Sequence, residues 1–84
     1  MFEVLLERSA EKDLGRLSNP VHDRIVRSIS TLAKNPRPVG CRKLSGRGND
    51  WRLRAGDYRV IYEIINADRI VRVNRIRLRR EVYR

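Results

Sequence analysis

The sequence predicts an α+β fold, with a helical hairpin packed on one face of a four-stranded antiparallel sheet. Three observations predict it. A run of β-formers, Phe2 to Glu7, opens the chain. Two segments with apolar residues at helical spacing follow, between Ser9 and Asn35. From Trp51 onward, three runs separated by turn residues carry apolar side chains at alternating positions. Strands set apart from a helical pair belong to the α+β class, and strands joined by short turns pair antiparallel.

Each element has its own signal. Phe2-Glu3-Val4-Leu5-Leu6-Glu7 alternates in part, as a first strand should. Ser9 reads as the N-cap of a short helix whose inner face is Ala10, Leu14 and Leu17, at i, i+4 and i+7. Asn19-Pro20 reads as a second start, with asparagine as cap and proline at the first helical position. Val21, Ile25, Ile29, Leu32 and Ala33 form its apolar stripe, while Asp23, Arg24, Arg27 and Lys34 occupy the solvated face. Asn35-Pro36 ends it, because a residue before proline avoids the α region. Residues 36–50 are rich in proline and glycine and read as loop, with Leu44 tucked onto the core. Trp51-Arg52-Leu53-Arg54 begins a three-stranded meander. Its turns are Ala55-Gly56-Asp57 and Asn66-Ala67-Asp68, and its last strand runs from Arg69 to Leu78. If Trp51 and Leu53 face the core, Arg52 and Arg54 face the other side of the sheet.

Eighty-four residues make one domain, 1–84, with a small core. The formal net charge is +10, and its distribution says more than its size. Residues 1–36 hold six Lys/Arg and five Asp/Glu, a net of +1; residues 37–84 hold fourteen and five, a net of +9. The first part reads as scaffold and the second as a working surface for a polyanion, nucleic acid before an anionic membrane or an acidic protein. Ten of the last thirty-four residues are arginine and none is lysine. A guanidinium presents a planar fork of donors that matches phosphate. The single cysteine, Cys41, excludes an internal disulfide and fits a reducing cytoplasm. No stretch reads as a signal peptide or a membrane span, and no His/Cys/Asp cluster reads as a metal site.

Three segments together carry a resemblance. Lys43-Leu44-Ser45-Gly46, then Trp51-Arg52-Leu53-Arg54-Ala55-Gly56-Asp57-Tyr58-Arg59-Val60-Ile61-Tyr62-Glu63-Ile64, then Arg79-Arg80-Glu81-Val82-Tyr83 resemble the RelE/ParE toxin superfamily of bacterial toxin–antitoxin systems. The similarity covers nearly the whole chain, and the terminal Arg-x-x-x-Tyr points to the RelE branch. That resemblance implies a microbial-ribonuclease-like fold. It also implies a ribosome-dependent endoribonuclease that cuts messenger RNA in the A site without a metal or other cofactor. The partners implied are the ribosome, messenger RNA and an acidic RelB-like antitoxin in a heteromeric complex. Carried over by motif, the catalytic candidates are Arg54, Arg59, Arg79 and Tyr83, with Arg52 beside them. Arg42, Lys43, Arg47, Arg77 and Arg80 are the expected RNA contacts, with Arg37 adding charge in the loop.

Two departures bear on the chemistry. Leu78 stands where many relatives carry histidine, and Arg52 and Arg54 stand where the best-known members have lysines. Arginine stabilises charge but is a very poor general base, because its pKa is above about 12. Each candidate also has a bland reading. Arg52 and Arg54 fit solvated strand positions, Arg59 fits a partner of Glu63 or Asp57, and Tyr83 fits a cover for a sheet edge. Trp51 reads as core, Cys41 as a passive loop residue and Glu81 as an ion-pair partner, and His22 lies far from the basic face. Two other functions stay open at this level: a ParE-like inhibitor of DNA gyrase, and a catalytically inactive RNA-binding subunit.

Overall fold

The computed structural model describes residues 1–44 and 48–79. In chain order the elements are β1 (Glu3–Leu6), α1 (Arg8–Gly15), α2 (Asn19–Thr31), β2 (Arg42–Lys43), β3 (Asp50–Ala55), β4 (Tyr58–Ile65) and β5 (Ile70–Leu78). All five strands form one sheet in the order β1-β5-β4-β3-β2. The α+β class and the β3–β4–β5 meander agree with the sequence. Two features differ. The sheet is mixed, because β1 lies parallel to β5 with Glu3 opposite Ile70 and Leu6 opposite Val73. It also has a fifth strand: Arg42 and Lys43, expected in a loop, pair antiparallel with Arg52 and Trp51.

The starting signals of both helices are shifted. Glu7 rather than Ser9 is the N-cap of α1, and Ser18 rather than Asn19 that of α2, with Pro20 in the first turn. Ser9 is released for another task. β1 ends opposite Val73, so on that side β5 has no strand partner from Asn74 onward. Helix α1 covers this open edge instead. The Ser9 hydroxyl donates to the Asn74 carbonyl at 2.7 Å, and the Asp13 carboxylate accepts the Ile76 N–H at 2.9 Å. Backbone groups that a further strand would have satisfied are satisfied by helix side chains. Asn74 sits at an irregularity of the β4–β5 ladder, where Ile61 faces Arg75 while its neighbour Tyr62 faces Val73.

Between the helices and the sheet, Ala10, Leu14, Ile25, Ile29 and Leu32 meet Leu53, Val60, Tyr62, Ile64, Val71, Val73 and Ile76. Tyr62 is wholly buried, and its hydroxyl donates to the Pro36 carbonyl at 2.7 Å. Burial pushes its pKa up, and Cys41 adds to the shift, so the hydroxyl stays a donor at all ordinary pH. The loop after α2 is thus pinned at its start, and Arg37 stacks over the Trp51 ring at 5.2 Å. Tyr62→Phe is expected to cost roughly 1–2 kcal/mol, because it leaves the Pro36 carbonyl without its buried donor. Urea denaturation measures that loss; an unchanged midpoint would mean the hydroxyl does not anchor the loop.

Candidate functional site

The β3–β4 hairpin sets up the site by register alone. Leu53 and Val60 face each other and are buried in the core. Alternation therefore turns their neighbours to the opposite face of the sheet. There Arg54 stands opposite Arg59, which in turn stands opposite Arg77 on β5, a row of guanidinium-bearing positions across three strands. Like charges directly opposed across strands oppose folding, so such a row is a cost to the scaffold.

On this face a concavity of about 450 Å³ is lined by Gly40, Arg42, Arg52, Arg54, Arg59 and Arg79. Each arginine arrives by a different local cause. Arg42 comes from β2, held opposite Arg52. Arg59 forms part of the floor at 4% exposure, with Nη1 donating to the Tyr58 carbonyl at 3.4 Å. Arg79 is brought in by its backbone, whose N–H donates to the Asp57 carbonyl at 2.8 Å and ties the end of β5 to the β3–β4 turn. That turn requires Gly56, which has φ +64. The Nε of Arg54 donates to the Gly56 carbonyl at 3.4 Å. Among the described residues the lining holds no carboxylate and no imidazole. A concave wall of one sign focuses its field, and forked donors suit a phosphate at its centre.

Residues 4–83 match the family model described as the ParE toxin of the type II toxin–antitoxin system, parDE. The chain belongs to this toxin family. Solved structures place the toxin in the wider RelE/ParE superfamily. It superposes on the RelE of the archaeal RelE–RelB complex from Pyrococcus horikoshii with a TM-score of 0.83 and 28% identity, over 93% of this chain and 94% of that one. The toxin–antitoxin complex RelBE2 of Mycobacterium tuberculosis gives 0.82 and 22% identity over 93% and 98%. Isolated RelE from E. coli gives 0.79 and 24% over 99% and 92%. At such identities the last two speak for the fold alone. No curated protein sequence matches the toxin significantly.

Of the residues expected at the site, Arg42, Arg52, Arg54, Arg59 and Arg79 converge in the toxin's cleft. Lys43 does not line it; its register sets it opposite Trp51. Arg77 borders a separate hollow beside α1, with Asp13, Arg16 and Tyr58. Arg47, Arg80 and Tyr83 lie outside the described residues. Three further arginines of the basic half are engaged within the fold. Arg72 lies 3.5 Å from both Glu7 and Glu63, Arg75 lies 3.0 Å from Asp13, and Arg69 stacks over Phe2 from a left-handed backbone, φ 53. Glu63 thus partners Arg72. Sequence reasoning misses two participants. Gly40 has its signal in the Pro-Val-Gly turn before β2. Asp13 has one too, as an acidic residue set between Ala10 and Leu14 on the apolar face of α1.

Proposed function

We propose that this toxin is an endoribonuclease that cleaves messenger RNA on the ribosome and so stops translation. The observation that carries the reading is the convergence of five arginines from β2, β3, β4 and the end of β5 on one concavity. The reaction is transesterification: the ribose 2′-oxygen attacks the adjacent phosphorus, the bond to the 5′ oxygen breaks, and a 2′,3′-cyclic phosphate and a 5′-OH result. The phosphorane carries extra negative charge, so donors fixed where that charge develops lower the barrier. Arg59 on the floor and Arg79 at the rim take the equatorial oxygens, and Arg79 also donates a hydrogen bond to the leaving oxygen. Arg54 orients the 2′-OH, with Arg52 and Arg42 holding the neighbouring phosphates. Arginine does not accept the 2′-OH proton. A non-bridging phosphate oxygen takes it and passes it to the leaving 5′ oxygen. Tyr83 stacks on an unpaired base, and Lys43, Arg47, Arg77 and Arg80 dock the RNA backbone.

The ribosome supplies alignment of the message, which places the toxin in the cytoplasm. The partner that silences it is an acidic antitoxin, a reading supported by the exposed positive face and by structural neighbours determined as toxin–antitoxin complexes. Induction of the toxin without antitoxin is expected to arrest growth and give cuts within translated codons, mapped by primer extension on a reporter message. Intact messages together with DNA cleavage complexes and an SOS response would replace this reading with gyrase inhibition, which the ParE name of the matching family favours.

A further inference from the structure

A second basic hollow lies around the edge of the sheet from the cleft. β2 covers β3 only at Trp51 and Arg52, so from Leu53 on the outer side of β3 faces α2 and the loop that follows it rather than a strand. There a depression of about 450 Å³ is bounded by Arg24, Arg27 and Ser28 of α2, by Pro38 and Val39, and by Arg54. Arg54 therefore lines both concavities. Residues 24, 27, 28 and 31 are spaced i, i+3, i+4 and i+7, one stripe of the helix. Thr31 donates its hydroxyl to the Ser28 carbonyl at 2.6 Å, so the guanidinium groups are the stripe's strong outward donors. The Arg24 guanidinium lies against Gly56, where a Cβ would come 3.0 Å from its Nη1. Among the described residues neither Arg24 nor Arg27 takes part in an ion pair. Val39, fully exposed at 103%, gives the opposite rim an apolar surface.

From this geometry we infer that the hollow is a second phosphate subsite for the same RNA strand. The strand leaves the catalytic cleft past Arg54, crosses the β3 edge, and sets a flanking phosphate against Arg24 and Arg27, with a sugar or base face on Val39. The inference rests on the nuclease reading and extends it to where the substrate runs. Two cations on a helix, expected from sequence to be merely solvated, become part of the substrate track.

The test uses non-cleavable RNA, 2′-O-methylated at every ribose, in two lengths: a dinucleotide and an octanucleotide. Binding is measured by fluorescence anisotropy over a salt series. Arg24→Ala/Arg27→Ala is expected to weaken octanucleotide binding about tenfold and leave the dinucleotide unchanged. It should also reduce the octanucleotide salt slope by about 0.7, the contribution of the one phosphate that the pair neutralises on a single strand. Arg24→Lys/Arg27→Lys, which keeps both charges, should retain the slope and show that the loss is not misfolding. An unchanged octanucleotide slope in the alanine variant overturns the subsite. So does a loss seen only with whole ribosomes, which would assign the hollow to structural RNA. If the wild-type toxin binds neither RNA, the subsite is overturned, while the nuclease reading is decided separately by the primer-extension cuts.

Discussion

Arg79→Ala is expected to reduce messenger RNA cleavage by at least about a hundredfold while leaving the fold intact. The size follows from the cost of deleting one preorganised donor to a developing oxyanion, on the order of 10²–10³ in rate. The clean separation from folding follows from how the residue is held. Its place is fixed by the backbone N–H to the Asp57 carbonyl at 2.8 Å, which alanine preserves. Its side chain is exposed at the cleft rim. The thermal midpoint should therefore stay nearly unchanged while primer-extension cuts vanish. Arg79→Lys should recover only part of the activity, because an ammonium is a point charge and cannot span two phosphate oxygens. Undiminished cuts in Arg79→Ala would remove the rim from the catalytic set. A parallel fall in thermal midpoint and activity would assign Arg79 to the scaffold instead.

Arg59 gives a less separable result, because of what its site costs the fold. It is 4% exposed, inside a cross-strand row of like charge. Replacing it changes packing, solvation and repulsion together, so its stability effect has no simple sign. Arrangements that oppose folding locally persist where function needs them.

What is legible in the sequence follows from what alternation encodes. A period of two states which face a residue occupies, and it places Arg52, Arg54 and Arg59 together as soon as the β3–β4 turn is recognised. It does not state which strand lies alongside which. β1 and β5 are more than sixty residues apart in sequence, and their parallel pairing is a property of the assembled sheet. A strand of two residues, Arg42–Lys43, is too short to show any period, so β2 reads as loop, and the cleft wall it builds reads only as loop charge. Composition identifies the basic half of the chain but cannot divide its arginines. Arg69, Arg72 and Arg75 look like docking charge until Phe2, Glu7 and Asp13 are folded against them. Conversely, Arg24 and Arg27 lie in the nearly neutral first part of the chain, and only the fold brings them to the cleft's edge.

Asp13 is expected to be an acid-sensitive clasp of the fold. It is 9% exposed on α1, and its carboxylate accepts from Arg75 Nε at 3.0 Å and from the Ile76 N–H at 2.9 Å. Burial raises its pKa. The Arg75 hydrogen bond, the Ile76 N–H and the charges of Arg75 and Arg77 outweigh burial and leave it below its ordinary value. A carboxyl with a lowered folded-state pKa adds stability that is complete above its unfolded pKa, about 3.9, and is lost as pH falls through the folded value. Asp13→Ala leaves the Ile76 N–H unpaired at a strand edge and should cost roughly 2–3 kcal/mol at neutral pH. Asp13→Asn keeps an acceptor for that N–H and should cost less at neutral pH. It also removes the titrating group, so its stability should fall less steeply than the wild type's between about pH 5 and pH 2. Urea unfolding across that range separates the cases; an Asp13→Asn curve parallel to the wild type's would show that the acid sensitivity lies elsewhere. The clasp holds α1 over the side of β5 that β1 leaves unpaired beyond Val73, so its loss also uncovers an edge able to pair with another chain. Aggregation on acidification, ahead of global unfolding and suppressed at low protein concentration, is the expected sign of that exposure.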